Sequence, residues 1–276
     1  MKASLLLFGI AVACYAAIVG WLAWNEDRIV FQPERGPVPP PPAEFFPGGR
    51  TAHFPSADGT RLTAWVLPPP PAAEPAHWVL VLHGNAGNLA TPGRPEHNHQ
   101  FRHLGLGVLA LDYRGYGDSE GTPSESGVYA DARAAYDYLR DSLQVPPGRI
   151  VLYGHSLGSG IAVELATRVE AAALIIEGAF TSVPDRAAEV YPWLPVRWIA
   201  RNRFPSLERI AGLRLPVLVI HGRDDSTIPI SHGRQLFAAA PEPKAFLEVA
   251  GGHDDAFEVG AREYEAGIRR FLPPPD

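Results

Sequence analysis

The chain has 276 residues, of which 46% are hydrophobic, and it sets 24 Lys and Arg against 30 Asp and Glu for a formal net charge of -6. That length suits one domain with a large core plus a short appendage. With no basic stripe and no interleaving of aromatic and basic residues, nucleic acid is excluded as an expected partner.

Residues 3–24 contain no charged side chain. As a helix they would extend ~33 Å, enough to cross a ~30 Å hydrocarbon layer. Trp21 and Trp24 suit the interface at the far end, with Lys2 before the run and Glu26 and Asp27 after it. Residues 1–25 are therefore expected to be an uncleaved signal-anchor helix with its positive end in the cytoplasm. Only Lys2 and Lys244 are lysines, and this arginine bias with abundant Ala and Pro points to a GC-rich bacterial genome. The expected location is thus the bacterial inner membrane, single-pass, with the remainder on the periplasmic side. A secreted form cleaved after Ala11-Val12-Ala13 and a lipoprotein lipidated at Cys14 are the alternatives. The apolar run continues past the first site, and Ala11 stands where a lipidation signal wants leucine. Cys14 is also the only cysteine, so no intrachain disulfide can form.

Residues 26–49 are rich in proline and are expected to form a stiff extended linker between membrane and domain. The domain itself is assigned to residues 50–276. It opens with two alternating runs around Asp58-Gly59, a hairpin signature. Apolar strands and helices then alternate, with strands expected at 79–82, 108–111, 150–153, 173–176, 217–220 and 246–249. Near-continuous apolar strands of this kind are buried on both faces, which predicts an α/β fold with a mostly parallel central sheet flanked by helices.

The strand at 150–153 runs into Gly154-His155-Ser156-Leu157-Gly158 and then into a helical pattern. Strand, tight turn and helix with serine at the turn push the Ser156 hydroxyl out above the sheet edge. A serine hydroxyl needs a base, and the base needs a third group to fix its tautomer. Both should follow on loops after later strands. His253, behind Gly251-Gly252 after the last strand, is the candidate base. Asp224 and Asp225, after 217–220, are the candidate acids; Asp225 is preferred, Asp224 is read as a turn or cap residue, and Glu177 is a more distant third. The oxyanion donors expected are the backbone N–H groups of Leu157, at the elbow, and Asn85, turned by Gly84 after 79–82, with Ala86 as the alternative to Asn85.

Arg114 and Asp118 are read as ions that fix a loop. His155 is read as a neighbour of the serine and His221 as a strand-end residue bonded to backbone. His97, His99 and His103 invite a metal reading, but no carboxylate or cysteine completes a ligand set. A solvated helix face is expected there, with no metal and no cofactor. Residues 181–213 interrupt the alternation with Tyr191, Trp193, Trp198, Ile199 and Phe204 among prolines and arginines. Tyr116, Phe180, Trp193 and Trp198 are the aromatics expected to line an acyl pocket.

With these pieces in place the chain resembles the α/β-hydrolase superfamily, and within it the Bem46-type membrane-anchored serine hydrolases, near the serine aminopeptidase S33 group. The residues that carry the resemblance are Leu82-His83-Gly84-Asn85-Ala86-Gly87-Asn88, the run from Asp112 to Gly121, Gly154-His155-Ser156-Leu157-Gly158, His221-Gly222-Arg223-Asp224-Asp225 and Gly252-His253-Asp254. A segment like Asn25 to Pro33 after an N-terminal helix is common in such proteins. The resemblance implies the α/β-hydrolase fold, with a short helical cap inserted over the serine at about residues 181–213, and puts the acid on Asp225. It implies a reaction type, a serine hydrolase, and leaves the substrate open. The expected reaction is cleavage of an ester or thioester through an acyl-enzyme on Ser156, and the apolar cap and nearby membrane suggest a small-molecule or lipid-like acyl substrate. An S33-type aminopeptidase is the enzyme alternative, and an inactive fold used as a binding module is the non-enzymatic one.

Overall fold

Strand residues of this chain alternate between two apolar faces, and that alternation sets the layers. The computed structural model describes residues 2–73 and 76–273. The strands are β1 (Gln32–Pro33), β2 (Arg50–Pro55), β3 (Arg61–Leu67), β4 (Trp78–Leu82), β5 (Ala86–Gly87), β6 (Gly107–Asp112), β7 (Ile150–His155), β8 (Ala173–Glu177), β9 (Val217–Gly222) and β10 (Lys244–Val249). The helices are α1 (Lys2–Trp24), α2 (Glu26–Val30), α3 (Arg94–His103), α4 (Glu125–Asp137), α5 (Leu157–Ala166), α6 (Val183–Val190), α7 (Val196–Ile199), α8 (Ser206–Ile210), α9 (Ile230–Ala239), α10 (Ala256–Val259) and α11 (Ala261–Phe271).

Eight strands form one sheet in the order β10-β9-β8-β7-β4-β6-β3-β2. β3 runs antiparallel to both β2 and β6, and the other neighbours are parallel. Leu80 and Leu82 of β4, Leu152 of β7 and Val217 and Val219 of β9 face the core formed with α4, α5, α8 and α9. Val79 and Val81, Val151 and Tyr153, and Leu218 and Ile220 face the opposite core, closed by Phe101 of α3, Phe257 of α10 and Tyr264 and Ile268 of α11. The expected α/β-hydrolase architecture, a mostly parallel sheet between helical layers, is what the chain adopts.

The sheet also decides where a site can form. β4 is flanked by β6 on one side and β7 on the other, so the chain reverses its winding direction at β4. Ligand crevices in open α/β sheets form at the carboxyl ends of strands where winding reverses. The loops after β4 and β7 leave the sheet there, with Leu82 in register with Gly154.

Residues 26–49 are not the free spacer expected from their prolines. Glu26 is buried, with its carboxylate accepting from the backbone N–H of Arg201 and Asn202. Phe31 is buried with its ring 6.2 Å from that of Phe204. Gln32 and Pro33 pair in parallel with Ala86 and Gly87. Val38 and Phe46 are buried, and Trp65 donates its indole N–H to Pro39 O at 3.2 Å. Scattered apolar anchors strap the segment to the domain, and burial of even a few such side chains outweighs the stiffness of the prolines.

The interruption at 181–213 is a helical cap segment made of α6, α7 and α8, none of whose residues lines the cavity at Ser156. The Glu125 carboxylate of α4 accepts from the backbone N–H of Arg203 and Phe204, and holds the cap against the domain. α1 has a mean hydropathy of 2.3 in its most apolar window and no buried residue, which makes it a helix long and apolar enough to cross a membrane.

Candidate active site

Between the end of β7 and the start of α5 a single residue, Ser156, turns the chain at φ 52° and ψ -121°. A non-glycine residue in that region costs on the order of 1–3 kcal/mol and persists only where its surroundings enforce it. Here the backbone N–H of Ser156 donates to Glu177 O at 3.0 Å, and its carbonyl accepts from the Ser159 hydroxyl at 2.6 Å. The two flanking glycines are obligatory for close approach. A Cβ on Gly154 would collide with the backbone of Gly158, and one on Gly158 with the backbone of Leu82.

His253 comes off the loop after β10 and reaches this turn. Its Nε2 lies 2.9 Å from Ser156 Oγ and its Nδ1 2.7 Å from Asp225 Oδ2. A carboxylate only accepts, so Nδ1 carries the proton and the Nε2 lone pair faces the serine hydroxyl. Asp225 is fixed in turn: its Oδ1 accepts from the backbone N–H of Thr227 at 2.9 Å and Ile228 at 2.7 Å. Burial pushes the Asp225 carboxyl up, but hydrogen bonds from His221, His253 and Ile228 outweigh it and hold the group far below the usual carboxylate range. Burial pulls His253 down, and the hydrogen bond and charge of Asp225, with Asp254 and Glu177 adding, raise it above the ordinary imidazole value.

Of the two expected oxyanion donors, Leu157 directly follows Ser156 and Asn85 lines the same cavity. Leu157 is the first residue of α5, where an N–H has no intrahelical acceptor. Asn85 is held by its carbonyl, which accepts from the Tyr116 hydroxyl at 2.6 Å and from Gln32 N at 3.0 Å. Ala86, the alternative donor, is paired in β5 with Gln32. Arg94 clasps the same loop, and nothing in the sequence pattern singled it out. Its guanidinium donates to the carbonyls of Gly84, Ala86 and Asn88, on both sides of Asn85.

Ser156 opens into a cavity of about 420 Å³ whose lining includes Asn85, Arg94, His155, Glu177, His253, Asp254 and Phe257. None of the four aromatics expected to line an acyl pocket is in it. Tyr116 is fully buried beneath the Asn85 loop, and Phe180 is buried in the core near Gly160 and Phe204. Trp193 and Trp198 lie outside the cavity lining and are 57% and 91% exposed. Large aromatics after a strand are readily taken into the core, and a cap aromatic has two faces to choose between; the sequence alone does not distinguish these.

The remaining expectations fall as follows. Asp224 is exposed, with its N–H bonded to Gly251 O. Glu177 is buried and accepts from the hydroxyls of Tyr153 and Tyr264 at 2.6 Å each, so it does not orient His253. His221 bonds Ile228 O at 2.9 Å, and His155 bonds His253 O at 2.8 Å. Arg114 binds Asp131 and Asp58, and Asp118 accepts from Val38 N. His97 is sandwiched between Phe101 and Phe257, and burial pushes it down to about 3. His99 rests against Phe45 and Phe46, and His103 is exposed. Among the described residues, His155, His253 and Asp254 bring ligand atoms within 4.8 Å of one another. Both ring nitrogens of His253 are already engaged there, so a metal at that point would displace Ser156 or Asp225 from the imidazole.

Comparison with known proteins agrees with this fold. The family described as serine aminopeptidase, S33 matches residues 73–209. The protein Rv2307c of Mycobacterium tuberculosis (strain H37Rv) is 42% identical over 264 residues, covering 95% of this chain and 92% of its own. The lysophosphatidylserine lipase ABHD12 of Danio rerio is 36% identical over 185 residues, covering 60% of this chain and 48% of its own. Among solved structures, the esterase Pf2001 of Pyrococcus furiosus superposes with a TM-score of 0.71 at 17% identity, covering 87% of this chain and 97% of its own. Fold and family match converge: the chain belongs to the α/β-hydrolase superfamily and is an enzyme of hydrolase type.

Proposed function

We propose that the protein is a serine hydrolase that cleaves a carboxylic ester or thioester through an acyl-enzyme on Ser156. The observation that carries this reading is the single imidazole of His253 bridging Ser156 Oγ and Asp225 Oδ2 at 2.9 and 2.7 Å. In the first half-reaction His253 Nε2 takes the Ser156 proton as Oγ attacks the carbonyl carbon. The imidazolium is stabilised by Asp225, and the tetrahedral oxygen by the N–H groups of Asn85 and Leu157. The leaving alkoxide or thiolate departs with the proton from His253. A water then gives its proton to His253, attacks the acyl carbon and releases the acid.

The substrate is a small or lipid-like acyl compound, a class in keeping with the names of the zebrafish lipase and the archaeal esterase among the similar proteins. Aminopeptidase action would need a free carboxylate to hold the substrate amine. No cap carboxylate reaches the cavity, since Asp185 is bonded by Ser182 and Thr181 and Glu189 by His232 and Arg186; Asp254 does line it, and an S33-type aminopeptidase that holds its substrate amine there is the second reading. The intact bridge at His253 speaks against an inactive fold kept as a binding module. We place α1 as an uncleaved anchor in a bacterial inner membrane, with the domain on the periplasmic side and Lys2 in the cytoplasm.

A fluorophosphonate probe tests the chemistry. The folded chain should be labelled and Ser156→Ala should not; absence of labelling in folded wild type would overturn the reading in favour of a binding module. Protease added to spheroplasts tests the placement, because a periplasmic domain is clipped and a cytoplasmic one is protected.

A further inference from the structure

One apolar groove in this molecule lies outside the Ser156 cavity, and its walls come from two parts of the chain far apart in sequence. Ile18, Trp21 and Leu22 of α1 form one side, and Tyr191, Trp193 and Ile199 of the cap form the other. It encloses about 610 Å³ and shares no lining residue with the cavity at Ser156. Around it the cap leaves Tyr191, Trp193 and Trp198 exposed, with Trp198 nearly as open as a side chain can be. A water-soluble surface rarely gathers apolar side chains of this size without a partner to cover them.

The position of the groove along α1 identifies the partner. Tyr15 donates its hydroxyl to the backbone carbonyl of Trp193 at 2.8 Å, and the two rings lie 6.4 Å apart. Tyr15 is nine residues before the end of α1, about 14 Å below that end along the helix axis. If α1 crosses a hydrocarbon layer of ~30 Å, Tyr15 lies inside that layer in every placement that spans it. The cap loop bonded to it must lie there too. A backbone carbonyl in hydrocarbon costs several kcal/mol unless it is hydrogen-bonded, and the Tyr15 hydroxyl supplies that bond. Aromatic side chains of Trp and Tyr are the ones that favour the boundary between headgroups and acyl chains. The same segment carries Arg197 and Arg201, which are largely exposed but paired within the protein, Arg197 with Asp185 and Arg201 with Glu26 and Asp27.

We propose that the cap is a second membrane contact: Tyr191, Trp193 and Trp198 insert into the leaflet that α1 leaves, and a phospholipid acyl chain fills the groove between α1 and the cap. This rests on the reading of α1 as an anchor and not on the chemistry at Ser156.

The test uses the full chain in phosphatidylcholine vesicles, with Trp21→Phe and Trp24→Phe introduced so that the anchor itself does not report. Vesicles whose acyl chains carry bromine should quench the remaining tryptophan emission relative to plain lipid, and adding Trp198→Phe should remove much of the quenched component. Because Trp198 is so exposed, that substitution leaves the fold intact, and unchanged near-ultraviolet dichroism would verify this. Emission that ignores brominated lipid while aqueous iodide quenches it would overturn the proposal, and would leave a protein partner or solvent as the occupant. Alkaline carbonate extraction separates the two premises. A chain that resists carbonate yet keeps Trp198 open to iodide has the anchor without the cap contact, whereas a chain released by carbonate loses both.

Discussion

Nε2 of His155 donates to the backbone carbonyl of His253 at 2.8 Å, and the two imidazole rings stand 4.9 Å apart. The residue beside the nucleophile thus holds the loop that delivers the base. The two rings are driven in opposite directions: burial, and then the charge of His253, push His155 down to about 4, whereas His253 is raised. His155 is therefore a neutral prop at the pH where His253 titrates. His155→Gln, whose amide can donate to the same carbonyl, should keep kcat within about tenfold of wild type, the rate equivalent of one hydrogen bond of about 0.5–1.5 kcal/mol. His155→Ala should lose more than His155→Gln. Equal rates for the two variants would show that the prop does not matter.

The pH profile follows from the direction of the His253 shift. Catalysis needs its neutral form, so kcat/KM should fall as pH drops through the folded value, with a midpoint above the ordinary histidine value of about 6.5. Asp225→Asn removes the group that raises His253 and leaves burial to dominate, so the limb should move to lower pH. The same change should cut kcat by a factor on the order of 10⁴ because the imidazole loses its tautomer. Asp224→Ala should change neither quantity. Stability has its own sign. The raised His253 contributes fully below its unfolded value of about 6.5 and loses that contribution as pH rises through the folded value. Asp225, held low, contributes above about 3.9 and loses its share as pH falls towards its folded value. Urea midpoints across pH would read both limbs, and a wild-type profile identical to that of Asp225→Asn would refute the coupling.

The oxyanion loop offers a positioning test at Arg94. Its guanidinium reaches three carbonyls around Asn85, so Arg94→Met should let the loop relax and move the Asn85 N–H off its aim. The loss should fall in kcat rather than KM, and its ceiling is the ~10²–10³ typical of removing one oxyanion donor. Fluorophosphonate labelling should slow in parallel. A rise in KM with kcat unchanged would instead assign Arg94 to substrate binding.

Which of these features could be read before the fold was known follows from how local each signal is. The elbow at Ser156 was legible because strand, Gly154, Gly158 and helix are contiguous, and the order of Asp225 and His253 follows from strands that are apolar throughout. The hairpin was legible from Asp58-Gly59. Arg94 was not, because its acceptors are carbonyls and carbonyls leave no trace in side-chain patterns. The docking of residues 26–49 was hidden for a related reason: Glu26, Phe31, Val38 and Phe46 are isolated anchors with no period, inside a stretch whose prolines speak for an extended chain. The pocket failed on direction. Tyr116 and Phe180 turn into the core, Trp198 turns outward, and what the cavity offers a substrate is a mixed wall: Asn85, Arg94 and Asp254 beside Ala86, Pro92 and Phe257.

The strap itself makes the last prediction. The Glu26 carboxylate accepts from the backbone N–H of Arg201 at 2.9 Å and of Asn202 at 2.8 Å, and Asn202 is buried. Glu26→Ala leaves both donors without their acceptor, at a cost of about 1–3 kcal/mol for each that stays dry. For a domain of this size each kcal/mol shifts Tm by roughly 2–4 °C, so a detergent-solubilised Glu26→Ala chain should melt several degrees below wild type. Glu26→Gln keeps one carbonyl oxygen in the same place and should fall between the two. Neither change touches the Ser156 cavity, so hydrolysis of a short soluble nitrophenyl ester should hold its wild-type rate at temperatures well below the melt. If Glu26→Ala melts with wild type, the cap is held by Glu125 and its apolar contacts alone, and the segment after α1 is a passenger on the domain.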